Sequence, residues 1–124
     1  MSINISILQM LNVGFIDDVK ALIEKYLTSR QISKVIFEIT ETSLAQSVEE
    51  LIVNMRALKE LGINFSLDDF GTGYSSLSYL SKLPISELKI DKSFIDELRL
   101  TQDGTIVRTI LDIAKNMKLE VVAE

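Results

Sequence analysis

Leu67-Asp68-Asp69-Phe70-Gly71-Thr72-Gly73-Tyr74-Ser75-Ser76-Leu77 decides how this chain is read: an alternating apolar run enters it, and two adjacent carboxylates and a glycine-punctuated loop follow. In the run before it, Ile63, Phe65 and Leu67 share one face and Asn64, Ser66 and Asp68 the other, the period of two that marks a strand. The strand delivers charge to its own tip. Two like charges about 4 Å apart repel by about 4 kcal/mol at an effective dielectric near 20. A fold that keeps such carboxylates together offsets them with protons, cations or metal ions, and a hard divalent metal suits them. A solvated acidic turn, helped by Gly71 and Gly73, is the plainer alternative. Two other readings fail. A dinucleotide-binding loop needs a third glycine, and Gly71 to Ser76 has none and carries acid where a pyrophosphate would sit. A kinase reading of Asp69-Phe70-Gly71 needs a His-Arg-Asp segment in a chain that has no histidine.

Composition narrows the chemistry further. The 124 residues, the size of one modest domain, carry a net charge of −5 without a Lys- or Arg-rich block. Duplex nucleic acid and anionic membrane are therefore poor partners, and an anionic substrate would need a metal to bridge it. With neither cysteine nor histidine, disulfides, thiolate or imidazole zinc sites and Ser-His or Cys-His nucleophile pairs are excluded. Any metal must be held by oxygen. No apolar run approaches the ~18 residues of a membrane span, and Met1 to Ser6 lacks the cationic and apolar regions of an export signal. The segment is expected to be soluble and cytoplasmic, with no membrane contact of its own.

Working outward, Ile3 to Ile7 alternates strictly and predicts the first strand. Val19, Leu22, Ile23, Tyr26 and Leu27 recur at helical spacing from Asp17 to near Ser29. Lys34 to Glu41 predicts a second strand with Glu38 set inside an apolar run. Ser47-Val48-Glu49-Glu50 has capping-box spacing and opens a helix that Gly62 closes. After the third strand come a helical turn near Ser75 to Ser81, a stop at Pro84, and a fourth strand over Ser86 to Asp91. A turn around Ser93 to Leu98, a helix from Thr105 to Met117 and a fifth strand over Leu119 to Glu124 complete the order. Strands alternating with helices argue an α/β fold, a parallel sheet of about five strands with right-handed crossovers. Asn4, Glu38, Asp68, Lys89 and Glu124 each lie opposite the bulky apolar set of their own strand. If those apolar sets pack on the helices, the five polar residues converge at the carboxyl ends of the strands, where β/α barrels keep their active sites.

These residues, in this order, resemble the EAL (Glu-Ala-Leu) domain of bacterial cyclic di-GMP phosphodiesterases. The likeness runs through Asn4-Ile5-Ser6, Glu38-Ile39-Thr40-Glu41, Asp68 to Leu77, Lys89-Ile90-Asp91 and Val121-Val122-Ala123-Glu124. It implies a modified TIM-type β/α barrel that hydrolyses one phosphodiester bond of cyclic di-GMP, giving linear pGpG, with Mg2+ or Mn2+ at a two-metal site. It further implies that Asn4, Glu38, Asp68 and Glu124 ligate metal, that Asp69 serves a second metal, and that Lys89 is a catalytic lysine contacting the attacking water. Glu41 matches the glutamate that braces the loop Phe70, Gly71, Thr72, Gly73, Tyr74, Ser75 and Ser76, used for substrate binding and for coupling in a homodimer. The chemistry of the residues agrees, since all-oxygen ligands suit Mg2+ or Mn2+ and two such ions can activate water. Lys89 as a structural counter-ion to Asp91 or the acidic cluster is the alternative without the resemblance.

The name-giving Glu-Ala-Leu segment and the family's last strand are not in residues 1–124. The expectation is a partial EAL domain truncated at both ends and inactive alone, whose parent is an enzyme. The competing expectation is a non-catalytic cyclic di-GMP receptor or interaction module.

Overall fold

A computed structural model describes residues 2–40, 48–70, 77–101 and 104–123. Five strands, β1 (Ser2–Asn4), β2 (Ile36–Thr40), β3 (Asn64–Phe70), β4 (Glu87–Ile90) and β5 (Glu120–Ala123), form one sheet in chain order, every neighbouring pair parallel. Between them run α1 (Ile7–Leu11), α2 (Phe15–Tyr26), α3 (Ser29–Ile32), α4 (Val48–Glu60), α5 (Leu77–Lys82), α6 (Lys92–Thr101) and α7 (Thr105–Asn116). Each strand lying beside its predecessor after a helical crossover is the winding of a β/α barrel.

One face of the sheet is apolar because the alternation demands it. Val35, Phe37 and Ile39 from the β2 region, Ile63, Phe65 and Leu67 from the β3 region, and Leu88 and Ile90 from β4 are all buried. They join Leu51, Met55 and Leu58 of α4, Leu80 of α5 and Ile110 and Ala114 of α7 in one core. Phe37 and Phe65 are register partners, their rings edge to face with centroids 6.0 Å apart. With the helices on this face, Glu38, Ser66, Asp68, Glu87 and Lys89 are left to the other.

Several boundaries differ from the sequence expectation. The first strand stops at Asn4, and Ile7 is a buried helical residue. Ser6 and Gln9 make a capping box, the Gln9 N–H donating to Ser6 Oγ at 3.1 Å and the Ser6 N–H to Gln9 Oε1 at 3.0 Å. Two orphan donors satisfied locally outweigh two further residues of edge pairing. The expected turn around Ser93 to Leu98 is part of α6, opened by Asp91, whose carboxylate accepts the Ser93 N–H at 3.0 Å. Gly62 closes α4 in the left-handed region, φ +105°, as expected. The Ser47 cap lies outside the described residues.

The informative difference is in β3, which continues through both aspartates to Phe70. Leu67 pairs with Leu88 and Phe70 with Ile90, so Asp68 and Asp69 together stand opposite the single residue Lys89. This is a β-bulge, and Asp69 makes it with φ +56°, a left-handed conformation that Asp tolerates better than most residues. Without it, alternation would turn Asp69 into the apolar core and Phe70 out of it. The bulge reverses that parity, and Phe70 is buried beside Ile90.

Candidate active site

Register builds the polar face in rows. Asn4 of β1 pairs with Glu38 of β2, Glu38 with Ser66 of β3, Ser66 with Glu87 of β4 and Glu87 with Glu120 of β5. One polar row therefore crosses all five strands. The next row toward the carboxyl ends holds Thr40 beside Asp68, then the bulge, then Lys89 beside Val122. Glu38 and Ser66 are the buried polar residues among those described, at 8% and 0% exposure.

Lys89 reaches back across β3 and donates from Nζ to Glu38 Oε1, an ion pair with both side chains partly shielded from water. The hydrogen bond to Glu38 raises the affinity of Lys89 for its proton; burial opposes this, and the charges of Glu38, Asp68 and Glu87 reinforce it. The amine is a firm cation at neutral pH. Asp69 is pushed above the usual carboxylate range, first by burial and then by Asp68 and by Asp91, with which it shares a hydrogen bond. Asp91 is held below that range by the Ser93 hydroxyl and N–H. The Asp69 N–H donates to Asp68 Oδ1 at 2.9 Å, tying the two acids together at the bulge.

The structure thus puts Asn4 next to Glu38 in register, joins Glu38 to Lys89, and sets Asp68 and Asp69 against Lys89. Glu41, Gly71, Thr72, Gly73, Tyr74, Ser75, Ser76 and Glu124 lie outside the described residues; Phe70 is a core residue at the root of that loop. Among the described residues no three carboxylates stand close enough together to hold one ion. The donor chemistry nonetheless fits a hard divalent cation. Amide and carboxylate oxygens are the available ligands, and the charges of Asp68 and Asp91, which after burial raise the proton affinity of Asp69, are an excess of negative charge that a cation would offset. Ser66 and Glu87 were not singled out from sequence, and Asp91 was named there only within its motif and as a candidate counter-ion of Lys89, which pairs instead with Glu38. The signal for Ser66 and Glu87 was their place opposite the apolar residues of their own strands.

A parallel β/α sheet, apolar toward its helices and acidic toward the carboxyl ends of its strands, defines an α/β protein of the TIM-barrel type. The EAL domain model matches residues 1–124. The chain is 40% identical over 124 residues to the bifunctional diguanylate cyclase/cyclic di-GMP phosphodiesterase MucR of Pseudomonas aeruginosa, covering 99% of this chain and 18% of that protein. It is 46% identical over 88 residues to the cyclic di-GMP phosphodiesterase NbdA of the same organism, covering 70% of this chain and 11% of that one. Among solved structures, the MucR phosphodiesterase in complex with cyclic di-GMP superposes with a TM-score of 0.86 at 39% identity, over 98% of this chain and 49% of that one. The EAL domain of Mycobacterium smegmatis DcpA gives 0.86 at 37% identity, over 98% and 54%. The chain belongs to the EAL domain family. It spans about half the length of these solved chains and under a fifth of the two curated relatives.

Proposed function

We propose that these residues form the greater part of the catalytic centre of a cytoplasmic phosphodiesterase that cleaves one bond of cyclic di-GMP, giving linear pGpG, with Mg2+ or Mn2+. The observation that carries this reading is the bulge, which sets Asp68 and Asp69 together opposite Lys89 while Lys89 reaches Glu38. Asn4, Glu38, Asp68 and Glu124 would hold one ion and Asp69 a second. Such ions would supply the Lewis acidity that activates water and stabilises the leaving oxygen of an in-line displacement. Lys89, held protonated, acts as donor and charge, orienting the attacking water and drawing on the negative charge that grows on the phosphoryl oxygens. Asp69, as a ligand of the second ion, would place that ion at the attacking water, whose proton passes to solvent. Glu41 would brace the loop Phe70 to Ser76 against the substrate, and the same loop would couple two copies of the domain in a homodimer.

The test is made in a complete EAL domain containing these residues. Asp68→Asn keeps the shape and removes the charge, so Mn2+-dependent release of linear pGpG should fall by at least about a hundredfold while the melting temperature in the absence of divalent ions changes little. Unchanged turnover at saturating Mn2+ overturns the assignment.

A further inference from the structure

A pair outside the proposed ligands lies in the row beneath Lys89. Ser66 is fully buried, and its hydroxyl donates to Glu87 Oε1 at 3.1 Å. In register Ser66 stands between Glu38 on β2 and Glu87 on β4. Glu87 precedes Lys89 by two residues, so the two side chains leave the same face about 7 Å apart along the strand. The ammonium of Lys89 is bonded to Glu38 on one side of Ser66, while Glu87 stands on the other side of Ser66 and adds a weaker attraction without an ion pair. A lysine is a point charge on a flexible four-carbon stem, and one anchored by a single carboxylate loses its place when that carboxylate is engaged elsewhere.

We propose that Glu87, oriented by the buried Ser66 hydroxyl, is a positioning residue that keeps the Lys89 ammonium at the acidic end of the site, leaving the Glu38 carboxylate free to serve as a ligand. The proposal rests on the phosphodiesterase reading above. Glu87 makes no contact with substrate in this scheme and acts through Lys89.

Glu87→Gln is the probe, because the amide keeps the shape and can still accept from Ser66 while losing the charge. In a complete domain with saturating Mn2+, kcat for cyclic di-GMP should fall about tenfold with KM within about twofold. Ser66→Ala should lower kcat in the same way by about threefold, since it only loosens Glu87. In a Lys89→Met background, Glu87→Gln should leave the residual rate within about twofold. Melting temperatures of the two single variants and the double variant, measured without substrate, give a second cycle in which the shifts should not add. An unchanged kcat in Glu87→Gln, equal losses with and without Lys89, or additive melting shifts each overturn the proposal. A wild-type domain that does not hydrolyse cyclic di-GMP overturns the phosphodiesterase reading instead, and the melting cycle then decides the Glu87–Lys89 pairing alone.

Discussion

Asp69 combines a left-handed backbone with a carboxyl group that burial, Asp68 and Asp91 lift above its ordinary range. A raised folded-state pKa means that the native chain binds this proton more tightly than the unfolded chain does. The stability it contributes is fully present below the unfolded pKa and is lost as pH rises through the folded one. Asp69→Asn should therefore raise the melting temperature at pH 7 without divalent ions, and the advantage should shrink as pH falls through the carboxylate range. Asn also tolerates the left-handed region, so backbone strain does not confuse the comparison. Added Mn2+ should stabilise the wild type more than the variant; thermal unfolding over a pH series with and without Mn2+ checks both, and a variant less stable than wild type at pH 7 contradicts the argument. For Lys89, the expectation is an effect on the chemical step. Lys89→Ala in a complete domain should lower kcat by two orders of magnitude or so with a much smaller change in cyclic di-GMP affinity. Normal kcat with a greatly weakened Kd would make Lys89 a counter-ion for phosphate. Alternation along single strands was enough to put Glu38, Asp68 and Lys89 on one face. That Lys89 turns back across β3 to Glu38 is a fact of side-chain reach that no single strand encodes.

Elements show where local chemistry overrides pattern. The alternation of Ile3 to Ile7 is real, yet the Ser6–Gln9 box converts its end into α1, and the signal was present in Ser6-Ile7-Leu8-Gln9. The stretch Ser93 to Leu98 belongs to a ten-residue helix because Phe94 and Ile95 pack against the core, a contact that a short window does not reveal. Gly62 was legible because few other residues end a helix at positive φ. A Cβ there would also come within 2.9 Å of Ile32 Cγ2. Gly62→Ala should destabilise the fold by at least about 1 kcal/mol, from the strained φ and the shift forced on Ile32. Denaturant unfolding measures it, and a neutral or stabilising result would show that the α4–β3 turn relaxes freely.

At the scale of the molecule, β1 and β5 are the outermost strands of the sheet among the described residues, with Ile3 and Val122 exposed on them at 37% and 38%. Open parallel edges with apolar neighbours invite pairing with other chains. A polypeptide of residues 1–124 alone should therefore associate at micromolar concentration, and the carboxyl-end site, open along both edges, should turn over cyclic di-GMP far more slowly than a complete domain. Light scattering beside a pGpG-release assay decides it; a monodisperse monomer with the complete domain's rate refutes the prediction. The sequence by itself determined the class of fold, since apolar alternation broken by helical stripes leaves a parallel β/α sheet as the economical solution, and the chain's family motifs name its kind. Absence of cysteine and histidine likewise restricted any metal to oxygen ligands. Tertiary structure alone decided the two-against-one register at Asp68 and Asp69, the reach of Lys89 to Glu38 and the burial of Ser66 beneath Glu87. The reason is physical: strand periodicity assigns a residue to a face, but which residues meet on that face depends on inter-strand register, and register is set by the packing of all five strands and their helices together.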